Sequence, residues 1–128
     1  MPDAGATLRT PLVLAACFGL TGVILGAFGA HALADVIGTA SLPTWKTAVQ
    51  YQLFHACALF ALAALPRERI DDRARARISA LFGAGVVLFS GSLYLLTLDG
   101  PRWLGPITPV GGLLLISGWL LLLRESVR

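Results

Sequence analysis

Residues 10–34, TPLVLAACFGLTGVILGAFGAHALA, contain no Asp, Glu, Lys or Arg over 25 consecutive positions. A helix of about 20 apolar residues crosses the roughly 30 Å hydrocarbon core of a bilayer. The stretch therefore predicts a transmembrane helix. A buried helix of a soluble domain is the alternative, but such a helix needs a polar outer face, and this stretch is apolar around the whole helix.

Three further stretches without charged residues follow in the chain. They hold 20 residues after Lys46, 21 after Arg77 and 21 after Arg102. The chain is 56% hydrophobic and only 13% charged, a composition far from the average for soluble domains. We predict an all-α fold, an integral membrane bundle of four antiparallel transmembrane helices in one domain, residues 1–128, with helices at about 11–34, 46–65, 78–98 and 105–123.

The basic residues indicate how this bundle is oriented. Of the ten Lys and Arg residues, five lie in RERIDDRARAR, residues 67–77, and three more lie near the termini, on the same side of the membrane. Only Lys46 and Arg102 fall on the other side. Because cytoplasmic loops carry the excess of Lys and Arg, we expect both termini and the middle loop to be cytoplasmic. This distribution accounts for the net charge of +3 and predicts no nucleic-acid partner.

Small residues predict where the helices pack. Since lipid is as apolar as leucine, transmembrane helices associate by close packing, and glycine lets two backbones approach. The first helix carries such a stripe, formed by Gly19, Gly22, Gly26 and Gly29. We expect it to contact a helix of this chain or of another chain. Gly112, with Gly111 and Gly118, provides a second small surface on the fourth helix.

Neutral polar residues inside the spans form the candidate site. They are His31, Tyr51, Gln52, His55, Ser90, Tyr94 and Thr97. Tyr51 and Gln52 precede His55 by four and three residues and so share its helix face. Counting from the helix ends places His31 level with both of them, in the outer half of the membrane. An unpaired polar group there is costly, so we expect hydrogen bonds among these residues.

Several interpretations of this cluster remain open. Its members bond each other and hold the bundle in register, or they bind a lipid, a quinone or a partner helix, or the imidazoles relay protons or a metal ion. Haem ligation is disfavoured because the two histidines differ in depth. The spans contain no charge for an ion-driven pump and no carboxylate or activating base for a triad. We therefore expect no enzyme, and no metal or cofactor.

Three tryptophans lie near the ends of the predicted spans. Trp45 and Trp103 fall on the outer side, and Trp119 falls near the inner side. Tryptophan is enriched at both membrane interfaces. We expect all three to be interfacial anchors.

Four motifs carry a family resemblance. They are GAFGAHAL (26–33), TAVQYQLFHACALF (47–60), FSGSLYLL (89–96) and GPITPVGGLLLISGWLLL (105–122). In this order they resemble a family of small inner-membrane proteins that includes bacterial YgdD and animal transmembrane protein 256. The matching positions are Gly26, Gly29, His31, Tyr51, Gln52, His55, Ser90, Gly91, Ser92, Tyr94, Pro106, Thr108, Pro109 and Gly112. The resemblance implies a four-span protein of the bacterial inner (plasma) membrane and assigns no catalytic residue.

Two functions follow as expectations. The first is a structural or accessory protein that organises contacts with another membrane protein, with lipid or with further copies of itself. The alternative is a small carrier or ligand-binding protein that uses the outer polar cluster around His31 and His55. Both expectations place His31 within hydrogen-bond reach of the second helix.

Overall fold

Helices make up most of residues 4–128, the part of the chain that the computed structural model describes; residues 1–3 of the expected domain lie outside it. In chain order they are α1 (Ala4–His31), the single turn α2 (Ala34–Ile37), α3 (Leu42–Ala64), α4 (Asp72–Thr97), a 3-10 turn (Arg102–Leu104) and α5 (Ile107–Ser126). No strand occurs in the described part of the chain. The all-α prediction is confirmed.

Four helices are long and apolar enough to cross a membrane. The candidate spans are Arg9–His31, Leu42–Ala64, Asp72–Thr97 and Arg102–Ser126. This confirms the four transmembrane helices expected from the charge-free stretches. Each stretch marks the hydrocarbon-spanning part of a helix rather than the ends of the helix.

The helix ends differ from the expected ones because local signals set them. α4 begins at Asp72, six residues before the predicted start at 78. The carboxylate of Asp71 accepts a hydrogen bond from the Ala74 backbone N–H at 2.7 Å and thereby caps the helix. α3 begins at Leu42, four residues before the predicted 46, with Pro43 in its first turn, where a missing N–H costs little.

The α4 helix lies at the centre of the arrangement. It packs against α5, α3 and α1, and α1 also packs along α3. The apolar core lies mainly in the half of the bundle next to the α3–α4 loop and consists of Ala15, Leu59, Leu62, Ile70, Ala74, Ile78, Phe82, Val86 and Leu115. The polar side chains of the spans therefore lie in the middle of the bundle and in the half that is farther from the α3–α4 loop.

Candidate functional site

Gln52 links three helices near the midpoint of α3. Its side chain is only 4% exposed, and it lies next to Leu53, the midpoint of α3. Its Nε2 donates to the Phe18 carbonyl at 3.0 Å and to Thr21 Oγ1 at 2.7 Å, both on α1. Its Oε1 accepts from the Tyr94 hydroxyl of α4 at 2.8 Å. One carboxamide thus joins α1, α3 and α4.

The partners of Gln52 fix the orientation of its amide. A backbone carbonyl can only accept, so the NH₂ group must face Phe18. Thr21 gives its own proton to the Cys17 carbonyl at 2.7 Å, which leaves its oxygen to accept from the amide. Both amide protons and the amide oxygen of Gln52 are therefore occupied inside the bundle.

His55 lies one turn further along α3, and both of its ring nitrogens are occupied. Nδ1 lies 2.7 Å from the Tyr51 carbonyl oxygen, and Nε2 lies 3.1 Å from Nε1 of Trp119 on α5. The carbonyl can only accept and the indole N–H can only donate. Together they select the neutral imidazole with its proton on Nδ1. No nitrogen remains for a metal, and the described residues contain no group of three or more His, Cys, Asp or Glu that could hold one.

The predicted polar face of α4 divides between two roles. Ser90 is buried, and its hydroxyl donates to the Ala48 carbonyl of α3 at 2.8 Å. Tyr94 reaches Gln52, as described above. Thr97 instead donates to the Tyr94 carbonyl of its own helix at 2.8 Å. Ser90 and Tyr94 therefore connect helices, whereas Thr97 does not.

His31 lies apart from this network. It is the last residue of α1, its side chain is exposed, and it makes no hydrogen bond to any residue that the structure describes. Gln52 bonds to Thr21, ten residues before His31, so the expectation that His31 lies level with Gln52 is wrong. The cause is the early start of α3, which brings Trp45 to this end of α1, where its indole donates to the Leu25 carbonyl at 3.0 Å.

Two members of the network lie near the midpoints of their helices. His55 is two residues from the midpoint of α3, and Thr21 is one residue from the midpoint of the span Arg9–His31. Both positions are far from the ends of their candidate spans. A polar group at that depth has no water to bond, so internal partners are required.

Tyr51 and Gln52 point to different neighbours. Adjacent residues of a helix are about 100° apart around its axis, so the two side chains contact different residues. Gln52 bonds to Thr21 of α1 and Tyr94 of α4, whereas the Tyr51 ring packs on Phe89 of α4 with centroids 4.6 Å apart. Tyr51 is 43% exposed, and its hydroxyl has no hydrogen-bond partner among the described residues.

Three of the predicted packing glycines lie where α1 meets α3. A Cβ at Gly22 would come within 2.6 Å of Leu53, and one at Gly26 within 3.1 Å of Val49. A Cβ at Gly29 would overlap the ring of Trp45. The stripe therefore contacts a helix of the same chain.

Gly19 and Gly112 are not at close contacts. Nothing lies within 4 Å of a Cβ at Gly19, and one at Gly112 would make only an ordinary contact, 3.8 Å from the Phe89 ring. The close approach of α4 and α5 is instead at Gly111, where a Cβ would lie 2.8 Å from the Cα of Phe89. Neighbouring glycines on one helix face different directions, and the sequence does not show which of them contacts the next helix.

Two tryptophans expected as anchors are structural. Trp45 is 3% exposed and bonds to α1, and Trp119 bonds to His55. Trp103, which is 65% exposed, lies where an anchor was expected. A signal for Thr21 was present, since it is a hydroxyl near the middle of an apolar stretch, but no sequence feature identified Trp119 as a partner of His55.

Arg75 is a buried cation in a segment that the sequence predicts to be a loop. Its side chain is fully buried, and its Nη1 donates to the Leu62 carbonyl in the last turn of α3. Its Nη2 donates to the carbonyls of Leu65 at 2.8 Å and Ile70 at 3.4 Å. The last carbonyls of a helix lack partners within the helix, and a cation suits that end of the helix dipole. Arg75 thus caps α3 from the start of α4.

An aromatic cleft opens to the membrane-facing surface between α3 and α5. Its volume is about 300 Å³, and it is lined by Gln50, Tyr51, Phe54, His55 and Trp119. His55 is buried at its base, since only 3% of the residue is exposed. The cleft offers aromatic walls and the side chains of Gln50 and Tyr51 as polar groups at its mouth.

Comparison with known proteins supports the resemblance found in the sequence. A family model described as "Protein of unknown function (DUF423)" matches residues 25–112. The chain is 40% identical to the UPF0382 membrane protein YwdK of Bacillus subtilis over 121 residues, 94% of this chain and 98% of that protein. It is also 40% identical to the UPF0382 inner membrane protein YgdD of Escherichia coli K12 over 122 residues, 95% of this chain and 92% of that protein. No solved structure matches the chain significantly.

Proposed function

Because the chain belongs to the DUF423 family, whose members include bacterial inner-membrane proteins, we propose that it is an accessory protein of the inner (plasma) membrane. In this proposal it catalyses no reaction of its own. Its four spans form a preorganised body that supports another membrane protein, or a patch of lipid, through lateral contacts.

The observation that carries this proposal is the closed hydrogen-bond network at mid-membrane. Gln52 uses both amide protons and its oxygen on α1 and α4, and His55 uses both ring nitrogens within the bundle. A catalytic or relay site needs a group within reach of its substrate. Groups that are already satisfied by neighbouring helices suit the alternative role, which is to hold those helices in register.

The outward faces supply surfaces for lateral contacts. On α1 the exposed apolar side chains include Leu20, Val23 and Ile24, and on α5 they include Leu113 and Ile116. These faces are apolar and offer no charged group. They suit packing against another transmembrane helix or against acyl chains.

Extraction at native abundance in mild detergent, followed by mass spectrometry, tests the accessory role. We expect one other membrane protein at fixed stoichiometry. A bulky change on one of the two outer faces, Leu20→Trp on α1 or Ile116→Trp on α5, should release that protein while membrane abundance of the chain stays unchanged. Recovery of the chain with neither a membrane protein nor lipid at fixed stoichiometry, in several mild detergents and after cross-linking in the membrane, would contradict the proposal.

A second candidate is a small carrier or ligand-binding protein, favoured by the aromatic cleft between α3 and α5. His31 takes no part in it. This function predicts that the purified chain retains one small apolar molecule, and that Trp119→Leu releases it. The accessory role predicts that no such molecule is retained. Trp119→Leu lowers stability under either function, because Nε2 of His55 loses its donor.

The orientation proposed for the chain has both termini and the α3–α4 loop in the cytoplasm. Its support is the cluster of exposed arginines at that end, among them Arg69, Arg73 and Arg77 in the loop region and Arg124 and Arg128 near the C-terminus. A fluorescent-protein fusion after residue 128 should be fluorescent, and alkaline phosphatase inserted at Gly38 should be active. The reverse pattern would contradict this orientation.

A further inference from the structure

The α3 helix leaves one side of its surface uncovered. Gln50, Phe54, Cys57 and Ala61 are all exposed and follow each other at spacings of four, three and four residues. This is the heptad spacing by which one helix packs along another. We call these four residues the outer face of α3. The opposite side of the helix, with Gln52, His55 and Leu59, is buried in the bundle.

Gln50 is a polar group without a partner at the N-terminal end of this face. It is exposed, and its side chain makes no hydrogen bond to any described residue. It lies three residues from Leu53, the midpoint of α3, or roughly 5 Å along the axis at 1.5 Å per residue. Acyl chains cannot bond a carboxamide at that depth. The outer face therefore needs an occupant that supplies both a donor and an acceptor.

A second copy of the same side chain meets this need. A carboxamide carries two donors and one acceptor, so two of them can pair in both directions. Copies inserted with the same topology are related by an axis along the membrane normal, which places Gln50 opposite Gln50 at equal depth. We infer that the outer face of α3 is the interface of a parallel homodimer in which the two Gln50 side chains pair. This inference is independent of the accessory role.

The shape of the outer face fits a second copy. Cys57 and Ala61 are small and four residues apart, so the two helices can approach closely below Gln50. Phe54 is 61% exposed and stands beside a recess of about 530 Å³. The recess is lined by Gln50, Leu53, Phe54, Cys57, Ala58 and Trp119. The Phe54 ring of each copy can fill the recess of the other, which makes the contact self-complementary.

Lys46 is the charged residue of α3 that lies near this face. It is exposed one turn before Gln50, and in the dimer it lies close to Lys46 of the second copy. Like charges at close range oppose association. The long aliphatic stem of lysine lets its ammonium group reach the headgroup region and separate from the partner's. The repulsion is therefore screened by water and lipid headgroups, whereas the Gln50 pair lies in hydrocarbon.

Disulfide cross-linking in native membranes tests the dimer, because the chain has one cysteine on the outer face and one elsewhere. Cys57 and Cys17 are both free and exposed. With copper phenanthroline and oxygen as the oxidant, the Cys17→Ser variant should form a covalent dimer of twice 13.5 kDa. The Cys57→Ser variant, which retains Cys17 on α1, should stay monomeric. A dimer formed through Cys17 alone would overturn the inference.

A second variant tests whether the Gln50 pair stabilises the dimer, since a disulfide alone shows only that the two cysteines come close. In the Cys17→Ser background, Gln50→Leu should weaken association about tenfold, as expected for the loss of interhelical hydrogen bonds in a membrane. The matched control is Ser117→Ala on α5, an exposed hydroxyl that bonds only its own helix at Leu113. A Gln50→Leu variant that dimerises as strongly as its parent would contradict the proposal. So would a monomer whose outer face of α3 is covered by a lipid or by a different protein that cross-links to Cys57. Association of purified chains in vesicles, measured by photobleaching steps, gives the equilibrium independently of the disulfide.

Discussion

At the scale of single residues, hydrogen bonding explains which polar side chains the membrane tolerates. Gln52, His55, Ser90 and Tyr94 were predicted as a cluster because they are neutral polar residues in apolar stretches, and each has a partner. Their partners could not be predicted, because the relative shift of two helices is set by packing along their whole length. This is why Thr21 and Trp119 were missed and why His31 was wrongly expected to lie level with Gln52.

Arg75 gives a prediction at this scale. Replacing it by methionine leaves two carbonyls at the end of α3 and the Ile70 carbonyl of the α3–α4 loop without their donor, so the free energy of unfolding should fall by about 3 kcal/mol, given about 1–3 kcal/mol for each buried group left unpaired. Arg75→Lys should recover only part of this, because one ammonium cannot replace the guanidinium fork. Thermal unfolding of the purified protein in mild detergent measures both.

The control for this prediction is Arg73→Met. Arg73 is exposed in the same turn of α4 and carries the same charge. Its replacement should leave the unfolding temperature nearly unchanged. Equal losses in the two variants would show that net charge, and not the cap on α3, determines stability here.

At the scale of the helices, small residues decide which surfaces meet. The sequence identified the glycine stripe of α1, and Gly22, Gly26 and Gly29 do meet α3. It did not identify which of two adjacent glycines on α5 contacts α4. That choice depends on the rotation of α5 about its axis, which is fixed by partners such as Trp119 and Phe82, whose ring centroids are 5.0 Å apart.

Gly111→Ala tests this assignment. The new methyl group would meet the backbone of Phe89, which cannot turn aside as a side chain can, so α4 and α5 must separate. We expect the free energy of unfolding to fall by about 1–3 kcal/mol, as for other overpacked sites. Gly112→Ala and Gly91→Ala, where no atom lies closer than 3.8 Å, should be as stable as the unchanged chain. Chemical unfolding in detergent compares the three, and a larger loss for Gly112→Ala would contradict the assignment.

At the scale of the whole molecule, composition was enough for the architecture. The charge-free stretches predicted four transmembrane helices, and four helices long and apolar enough to cross a membrane are present. Composition was not enough for depth, because helices extend beyond the hydrocarbon and their caps are set by residues such as Asp71. The early start of α3 places Trp45, and not Gln52, beside the end of α1.

The central claim is that the polar side chains inside the bundle hold the helices together and do not form a ligand-binding site. Comparing the free energy of unfolding of Gln52→Leu with that of Ser117→Ala tests it most directly. Gln52→Leu removes three interhelical hydrogen bonds at about 0.6 kcal/mol each and should cost about 2 kcal/mol, whereas Ser117→Ala removes a bond within one helix and should cost little. A Gln52→Leu protein as stable as Ser117→Ala would contradict the claim.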